Sequence, residues 1–431
     1  MDTKIGMSML RIAHHLIVWI YVLLPAVVVA WDLVRSRRRG RVTLSGNVLM
    51  TFIAAVAIGG ALAVIYALAV GGAVRVGQLL LAIYFAAGLL FLLKLFDLGL
   101  IASVAWGARS VGGRIRRPLP RRSAIATILL MRWIVLFGVG LPYVMATVLT
   151  YRPKVGLTED PQITYGWSYQ PVRFEATDGR TISGWWIPSQ PDARAAGSER
   201  AAKRTVLVCH GLGANKANHL ILAQSLVPAG YNVLVFDFRA HGESEGQLAS
   251  FGDLERRDVL GAVRWLRQNH PAQAVEIFGV GASMGAAALI AAAADRSPEG
   301  QAIAALAVYG TYDDLAGLAD SVAISRFPRP LRWLVHYLAV PMASLQAGTN
   351  LSQFSPASAV RTLWPRPILV IHGVQDEIID FEHGRRLFDA ASPPKLRFWI
   401  EQASHNSIVD DRQTAEAVRR FFDDAEPMPV I

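Results

Sequence analysis

Two kinds of hydrophobic pattern divide the chain near Tyr151. Before it, long apolar runs occupy residues 12–30, 48–70, 76–106 and 124–150. After it, short β-rich runs alternate with segments of helical periodicity. A helix that spans a bilayer needs about 20 mostly apolar residues, whereas strands that alternate with helices are typical of a sheet covered on both faces. The pattern predicts a transmembrane region of about four helices over residues 1–150 and an α/β domain over residues 151–431.

The elements predicted after Tyr151 indicate an α/β fold on a doubly wound, mostly parallel sheet. Strands 172–177 and 181–187 are joined by the Asp178-Gly179 turn and form a hairpin. Further strands are predicted at residues 205–209, 232–237, 275–279, 302–309, 367–372 and 396–400. Helices are predicted near residues 216–227, 252–269, 284–294 and 412–424.

Composition and charge reinforce this division. Apolar residues make up 53% of the 431-residue chain and charged residues 18%, which argues against disorder and against a purely soluble globule. Residues 1–150 carry a net charge of +13 and residues 151–431 one of −3. The arginines lie between apolar runs, so a membrane explains them better than a nucleic-acid partner. The single cysteine, Cys209, excludes an internal disulfide and a multi-cysteine metal site.

The distribution of arginines predicts a membrane orientation. Residues 35–41 and 109–122 are arginine-rich, whereas the connection between the second and third runs holds only Arg75. Because loops rich in Lys and Arg stay in the cytoplasm, four spans place the α/β domain on the extracytoplasmic side of the plasma (inner) membrane. Three spans would reverse this orientation. Within the runs, Asp97 and Arg132 are predicted to form an ion pair between neighbouring helices.

The segment Gly281-Ala282-Ser283-Met284-Gly285 fits the G-x-S-x-G pattern of a nucleophile elbow. An apolar strand precedes it and an alanine-rich helix follows it, which is the context that the pattern requires. Small residues on both sides of the serine allow a sharp strand–turn–helix, and the helix N-terminus favours an anionic intermediate. Ser283 is therefore the candidate nucleophile.

A serine nucleophile needs a base, and the base needs an acid that orients it. Asp376 and His405 each follow a predicted strand, in the order Ser, Asp, His that is expected after such an elbow. Loops beyond the carboxyl ends of strands are where these sheets hold their ligand chemistry. Four residues remain alternatives: Glu377 and Asp380 for the acid, and His372 and His383 for the base.

An oxyanion that forms during acyl transfer needs two backbone N–H donors. One candidate is the amide of Met284, which follows the nucleophile. The other is the amide of Leu212, since glycines on both sides of it let the loop approach a substrate closely. His210, in the same loop, is interpreted as a structural residue.

Together these motifs resemble the α/β-hydrolase superfamily, closest to its serine-aminopeptidase-like and monoacylglycerol-lipase-like branches. The resemblance covers residues 170–425 and is carried by His210-Gly211-Leu212-Gly213, Asp237-Phe238-Arg239-Ala240-His241-Gly242-Glu243-Ser244, Gly281-Ala282-Ser283-Met284-Gly285, His372-Gly373-Val374-Gln375-Asp376 and Ser404-His405-Asn406. It implies Ser283 as nucleophile, Asp376 as acid and His405 as base. It also implies that residues 237–242 brace the site.

The chain departs from this family's usual pattern at two positions. Ala282 stands where a histidine is frequent, and Ala240 stands where a glycine is frequent. Neither change removes a catalytic group, although the first bears on the choice of branch.

Residues 310–365 form an insertion before the strand that leads to Asp376. Its segment 327–346 is apolar and includes Trp333 and Tyr337. This segment is interpreted either as cap helices over Ser283 or as helices that pack in the ordinary way on the domain. Exposed apolar residues there would favour a lipid-like substrate drawn from the bilayer.

The sequence thus predicts a membrane-anchored serine hydrolase that cleaves an ester, including lipid or acylglycerol esters, through an acyl-enzyme. The chemistry requires no metal and no organic cofactor. The expected partners are an acyl substrate and the lipid bilayer, and not nucleic acid. An acyltransferase or a peptidase with the same triad remains open. A catalytically inert receptor or transport-associated module also remains open as an interpretation.

Overall fold

The computed structural model describes residues 136–151, 154–157, 159–190, 200–326, 332–410 and 412–425, with positions 130, 134 and 329. Contacts divide the chain into two units, Met1–Leu141 and Pro142–Ile431. The first three predicted spans, the arginine-rich loops and the Asp97–Arg132 pair lie outside the described residues. Among the helices that are described, none has both the length and the hydropathy that a transmembrane span requires.

One sheet of eight strands organises the described part of the second unit, in the order β1-β2-β4-β3-β5-β6-β7-β8. The strands are β1 (Gln170–Glu175), β2 (Thr181–Ile187), β3 (Arg204–Cys209), β4 (Asn232–Phe236), β5 (Glu276–Ala282), β6 (Ile303–Tyr309), β7 (Ile368–Gly373) and β8 (Lys395–Ile400). The β1–β2 and β2–β4 pairs are antiparallel, and the other neighbouring pairs are parallel. The predicted α/β fold with a mostly parallel sheet is confirmed.

Helices cover both faces of this sheet. They are α1 (Leu141–Thr150), α2 (Pro161–Tyr165), α3 (Arg256–Asn269), α4 (Met284–Ala293), α5 (Pro298–Gln301), α6 (Leu315–Arg326), α7 (Arg332–Leu334), α8 (Val340–Ala347), α9 (Pro356–Val360), α10 (Phe381–Ala390) and α11 (Arg412–Asp424). Helices α3, α4, α9 and α10 contribute to the core on one face, and α11 contributes to the core on the other. This two-sided cover makes the sheet doubly wound, as predicted.

The sequence of β3 shows why the sheet is buried on both faces. Its six residues are all buried. Successive side chains of a strand point to opposite faces. Accordingly, Leu207 and Cys209 belong to one core and Val206 and Val208 to the other. A strand that is buried at every position, with apolar residues on both faces, lies in the interior of such a sheet.

The register of the central strands brings their carboxyl ends to one edge. Cys209 pairs with Gly281, Ala282 with Tyr309, and Gly373 with Ile400. The segments that follow these residues carry the predicted oxyanion loop, nucleophile, acid and base. The parallel arrangement therefore places the segments that hold all four functional groups at one end of the sheet.

The segment at residues 216–227 differs from its prediction. It forms consecutive turns with a 3₁₀-helix at Leu220–Ala223, and most of its backbone hydrogen bonds join residues three apart. Its start is fixed from outside, because both the main-chain and the side-chain nitrogen of Lys216 donate to Asp237. The prediction of an α-helix here is wrong, since these tertiary contacts override the apolar periodicity of the segment.

The insertion before β7 is helical, with α6, α7, α8, α9 and a π-helical turn at Val335–Ala339. Val335, Ala339 and Ala343 face inward, whereas Trp333, Tyr337 and Leu345 are more than half exposed. The insertion thus packs some of its side chains on the body of the domain and presents other apolar side chains to solvent.

Helix α1, which ends the fourth apolar run, packs into the second unit from Pro142 onward. Ala146 lies in a core with Ala287 of α4 and Ala343 of α8. Gln346 of α8 accepts a hydrogen bond from Thr150 and donates to the Tyr143 carbonyl and to Thr147 Oγ1. The end of this run is therefore joined both to the insertion and to the helix that follows Ser283.

Candidate active site

Ser283 lies in the turn between β5 and α4 with a backbone conformation that few residues other than glycine adopt. Its φ is 53° and its ψ is −120°. Such a conformation costs about 1–3 kcal/mol and persists only where its surroundings impose it. The Ser283 N–H donates to the Tyr309 carbonyl at 2.8 Å, and Thr311 Oγ1 donates to the Ser283 carbonyl at 3.0 Å. The end of β6 therefore holds the turn in place.

The two glycines of the pentapeptide leave room for this turn. A Cβ added at Gly281 would lie 2.9 Å from the Ala286 Cα, and one added at Gly285 would lie 2.3 Å from the Cys209 carbonyl oxygen. Both neighbours are backbone atoms of packed elements, so neither can move without disturbing the packing of those elements. The glycines are required by the close approach of α4 to the sheet.

Asp376 and His405 form a hydrogen-bonded pair. His405 Nδ1 lies 2.7 Å from Asp376 Oδ2. Because a carboxylate only accepts, the proton is on Nδ1, and Nε2 is left to accept one. Asp376 Oδ1 accepts from the amides of Ile378 and Ile379, at 2.9 and 2.8 Å. The carboxylate is fully buried and the imidazole is 12% exposed, so a fixed acid orients a ring that solvent can reach.

Gly310 connects this pair to the serine turn. A Cβ added there would lie 3.4 Å from Asp376 Oδ2 and 3.5 Å from His405 Cε1. Gly310 also lies between the two residues that hold Ser283 through hydrogen bonds. Residues 309–311 thus adjoin all three predicted residues. Among the hydrogen bonds of the described residues, none joins Ser283 Oγ to His405; such bonds are often long until a substrate is bound.

The alternative base His372 is a buried structural residue. Its Nε2 lies 3.5 Å from Asp376 Oδ2 and 2.9 Å from the Ile379 carbonyl, to which it donates. Burial lowers the pKa of His372, and its ring packs against Gly384. His372 thereby supports the loop that carries Asp376.

The alternative base His383 belongs to a second Asp–His pair. Its Nδ1 is hydrogen-bonded to Asp313, and Ser321 Oγ lies 3.2 Å from its Nε2. Arg386 also binds Asp313, at 2.6 Å. Although burial opposes the effect, hydrogen bonds from His383 and Arg386 hold the pKa of Asp313 below its usual range. This pair joins the segment before α6 to α10 and does not include Asp376.

The two alternative acids have other contacts. Glu377 accepts a long hydrogen bond, 3.4 Å, from the backbone N–H of His405. Asp380 is the N-cap of α10 and accepts from the Glu382 amide. Neither carboxylate is hydrogen-bonded to a ring nitrogen of His405, whereas that of Asp376 is.

The loop after β3 lies against the serine turn. A Cβ added at Gly211 would lie 3.4 Å from the Ser283 Cβ. The amides of Leu212 and Met284, which the sequence predicted as oxyanion donors, have no hydrogen-bond partner within the described part of the chain. An oxyanion site requires donors that are unpaired in this way.

A buried charged cluster braces this loop. Lys216 Nζ lies 2.6 Å from Asp237 Oδ2 and 2.8 Å from Glu243 Oε2, and Lys216 and Asp237 are fully buried. The Glu243 N–H also donates to Asp237. A Cβ at Gly242, whose φ is +45°, would lie 2.2 Å from the Asp237 carboxylate. The contacts give residues 237–242 the bracing role that the resemblance implied.

Arg239 extends this brace to α3. Its guanidinium lies 2.8 Å from Asp178 and 2.6 Å from Asp258. Burial raises the pKa of Asp258 to about 6, although the ion pair with Arg239 opposes the change. The neighbouring Ala240 has a φ of 66°, which explains why glycine is common at this position in the family.

Candidate metal ligands are scarce in the part of the chain that the structure describes. No group of three or more His, Cys, Asp or Glu side chains there could hold an ion. Cys209 is buried in β3, and burial raises the pKa of its thiol. His210 Nδ1–H donates to the Gly211 carbonyl, and Nε2 accepts from the Phe238 amide, as expected of a structural histidine.

The sequence of this chain is similar to those of known proteins. The model of the family described as serine aminopeptidase, S33, matches residues 200–357. The uncharacterized protein Rv2307c of Mycobacterium tuberculosis is 30% identical over 58% of this chain and 78% of its own length. The uncharacterized protein YfhR of Escherichia coli K12 is 27% identical over 68% of this chain and 92% of its own length.

A solved structure has the same fold. An esterase of Pyrococcus furiosus, Pf2001, superposes with a TM-score of 0.50 at 22% identity. The alignment covers 65% of this chain and 99% of the esterase. At this identity the likeness concerns the architecture of the domain.

Proposed function

We propose that this chain, which belongs to the serine aminopeptidase (S33) family of α/β hydrolases and is a hydrolase, is a membrane-anchored serine esterase with a lipid-like acyl substrate. The observation that carries the proposal is the 2.7 Å hydrogen bond between His405 and Asp376, beside the segment that holds Ser283. A buried carboxylate, an oriented imidazole and a serine in a strained turn are the groups that acyl transfer needs.

The proposed reaction proceeds through an acyl-enzyme. Ser283 Oγ attacks the ester carbonyl while His405 Nε2 takes its proton, and Asp376 stabilises the resulting imidazolium. The amides of Leu212 and Met284 donate to the oxyanion. The tetrahedral intermediate collapses, and His405 gives the proton to the departing alcohol. Water, deprotonated by His405, then releases the carboxylic acid from the serine.

The insertion before β7 supports a lipid-like substrate. Trp333 is 51% exposed, Tyr337 68% and Leu345 54%. Exposed large apolar side chains of this kind are found where lipid or an acyl chain is bound.

We test the ester assignment with the detergent-solubilised full chain and two matched substrate series. Long-chain p-nitrophenyl esters are expected to react faster than short-chain ones, and aminoacyl p-nitroanilides far more slowly. The acyl group should be found on the peptide that contains Ser283 by mass spectrometry. Faster cleavage of the anilides would instead support a peptidase, the second candidate that the family description favours.

The charge pattern of residues 1–150 supports the membrane part of the proposal. The hydrolase domain would lie outside the cytoplasm and act on acyl groups at the outer surface of the plasma (inner) membrane.

Cysteine labelling in intact cells tests this orientation. The native Cys209 is buried and gives little background. A membrane-impermeant maleimide is expected to label Ser352→Cys, at an exposed position of the domain, and to leave Ser36→Cys in the first arginine-rich loop unlabelled. The opposite result would place the domain in the cytoplasm and contradict a four-span arrangement.

A further inference from the structure

Three histidines outside the proposed triad surround the loop that carries Leu212. They are His210, His219 and His241. The ring centroid of His210 lies 5.0 Å from that of His241 and 6.1 Å from that of His219. The loop itself lies against Ser283, as the 3.4 Å approach at Gly211 shows.

Two of these rings accept hydrogen bonds from the amides on either side of Leu212. The Gly213 N–H donates to His241 Nε2 at 3.1 Å, and the Gly211 N–H donates to His219 Nε2 at 3.4 Å. Both neighbouring amides are therefore directed into the protein. The Leu212 amide between them has no partner within the described residues.

The tautomer of His241 is set by its second hydrogen bond, whereas Nδ1 of His219 is buried and has no hydrogen-bond partner within the described residues. His241 Nδ1–H donates to the Arg239 carbonyl at 2.9 Å, which leaves Nε2 as an acceptor. Burial lowers the pKa of His219 to about 4, so that this ring is neutral and can accept at Nε2. A protonated imidazole donates at both nitrogens and could hold neither glycine amide.

The backbone of the loop also depends on this arrangement. Gly213 has a φ of +78°, a conformation that its N–H contact with His241 helps to fix. His210 supports the loop from the other side, because its Nδ1–H donates to the Gly211 carbonyl at 2.8 Å. The backbone on both sides of Leu212 is thus bound to imidazole nitrogens.

We infer that His241 and His219 are positioning residues that hold the Leu212 amide toward the carbonyl oxygen of the substrate. The inference rests on the proposed function, because it assigns Leu212 to the oxyanion site of that reaction. Neither histidine touches the substrate; each acts through the glycine amide that it accepts. Preorganised donors contribute to catalysis only when they are held at the position where the oxyanion forms.

The test compares two substitutions at His241 that differ in their ability to accept. Gln can place an oxygen near the position of Nε2, whereas Leu cannot. His241→Leu is expected to lower kcat by up to about 100-fold with little change in KM, because a displaced donor weakens binding of the transition state selectively. His241→Gln should recover most of that loss. The rate of fluorophosphonate labelling should follow kcat in both variants.

A matched control is His270→Leu, because His270 stacks on Trp186 at 4.1 Å, away from the loop. It should retain the kcat of the unchanged protein. Denaturant unfolding of all three variants separates stability from activity. A packing role alone would make Gln and Leu at position 241 equally poor in kcat, or leave both at the original value; either outcome would overturn the inference.

Two further results keep the test decisive. If His241→Leu does not fold, His219→Leu and His219→Gln give the same comparison from the other side of Leu212. A full chain that is not labelled at Ser283 at all would overturn the proposed function and this inference with it. Labelling at Ser283 that is equally fast in the Leu and Gln variants would overturn this inference alone.

Discussion

Ser283→Ala is expected to remove ester hydrolysis and fluorophosphonate labelling together. In the proposed reaction this hydroxyl forms the covalent intermediate, and loss of a serine nucleophile lowers kcat by about 10⁶-fold where it has been measured. The fold should persist, because Ser283 is held by its backbone N–H and carbonyl and both remain in alanine. Gel fluorescence after probe treatment and the initial rate of ester cleavage measure the two effects.

The matched control is Ser321→Ala. Ser321 also lies beside the Nε2 of a histidine, at 3.2 Å from His383, and that histidine is also bound to an aspartate. Ser321 lies in the regular helix α6 and not in a strained turn. Its alanine variant should label and hydrolyse like the unchanged protein. Labelling that survives in Ser283→Ala and disappears in Ser321→Ala would show that the wrong serine was assigned.

The second large effect is expected from Asp376→Asn. An amide at this position can donate to Nδ1, which favours the tautomer with the proton on Nε2 and leaves no base for Ser283. A loss in kcat of about 10⁴-fold is expected, as for an aspartate-to-asparagine change in a known serine triad. The acceptor oxygen for the Ile378 and Ile379 amides is kept, so the loop should remain in place.

Asp313→Asn provides the comparison for that variant. Asp313 is bound to His383 and Arg386, so its substitution affects a second Asp–His pair outside the proposed triad. We expect lower stability with a kcat close to that of the unchanged protein, measured by unfolding and by steady-state rates. Equal losses of kcat in the two variants would indicate that both carboxylates affect activity through the stability of the fold. Asp376 would then have no specific role in catalysis.

The sheet could be predicted from the sequence because its signals are local. The strand predicted at residues 181–187 and the helix predicted at 412–424 have those bounds in the structure. The strand is bounded by the Asp178-Gly179 turn on one side and Pro188 on the other, and the helix has an amphipathic pattern. Helix α10 was not predicted, since it is short and carries as many charged residues as apolar ones. Its place is fixed by contacts with β7 that no local pattern records.

The candidate site was predictable where a motif marks it. Ser283, Asp376 and His405 each follow a strand, and the fold places the segments that carry them at one end of the sheet. The contribution of Thr311 could not be foreseen, because it depends on the register between β5 and β6. His219 was missed for a similar reason: no motif marks it, and only the tertiary fold brings its ring to the Gly211 amide.

The hydrogen bonds between Gln346 and α1 bear on how a self-standing catalytic fragment should be cut. A fragment that starts at residue 151 would remove Ala146 and Thr150, uncover apolar surface on α4 and α8, and strip Gln346 of three hydrogen-bond partners. Truncation after residue 150 would therefore lower the stability of the catalytic fragment. The first residue to keep is Pro142 or one upstream of it.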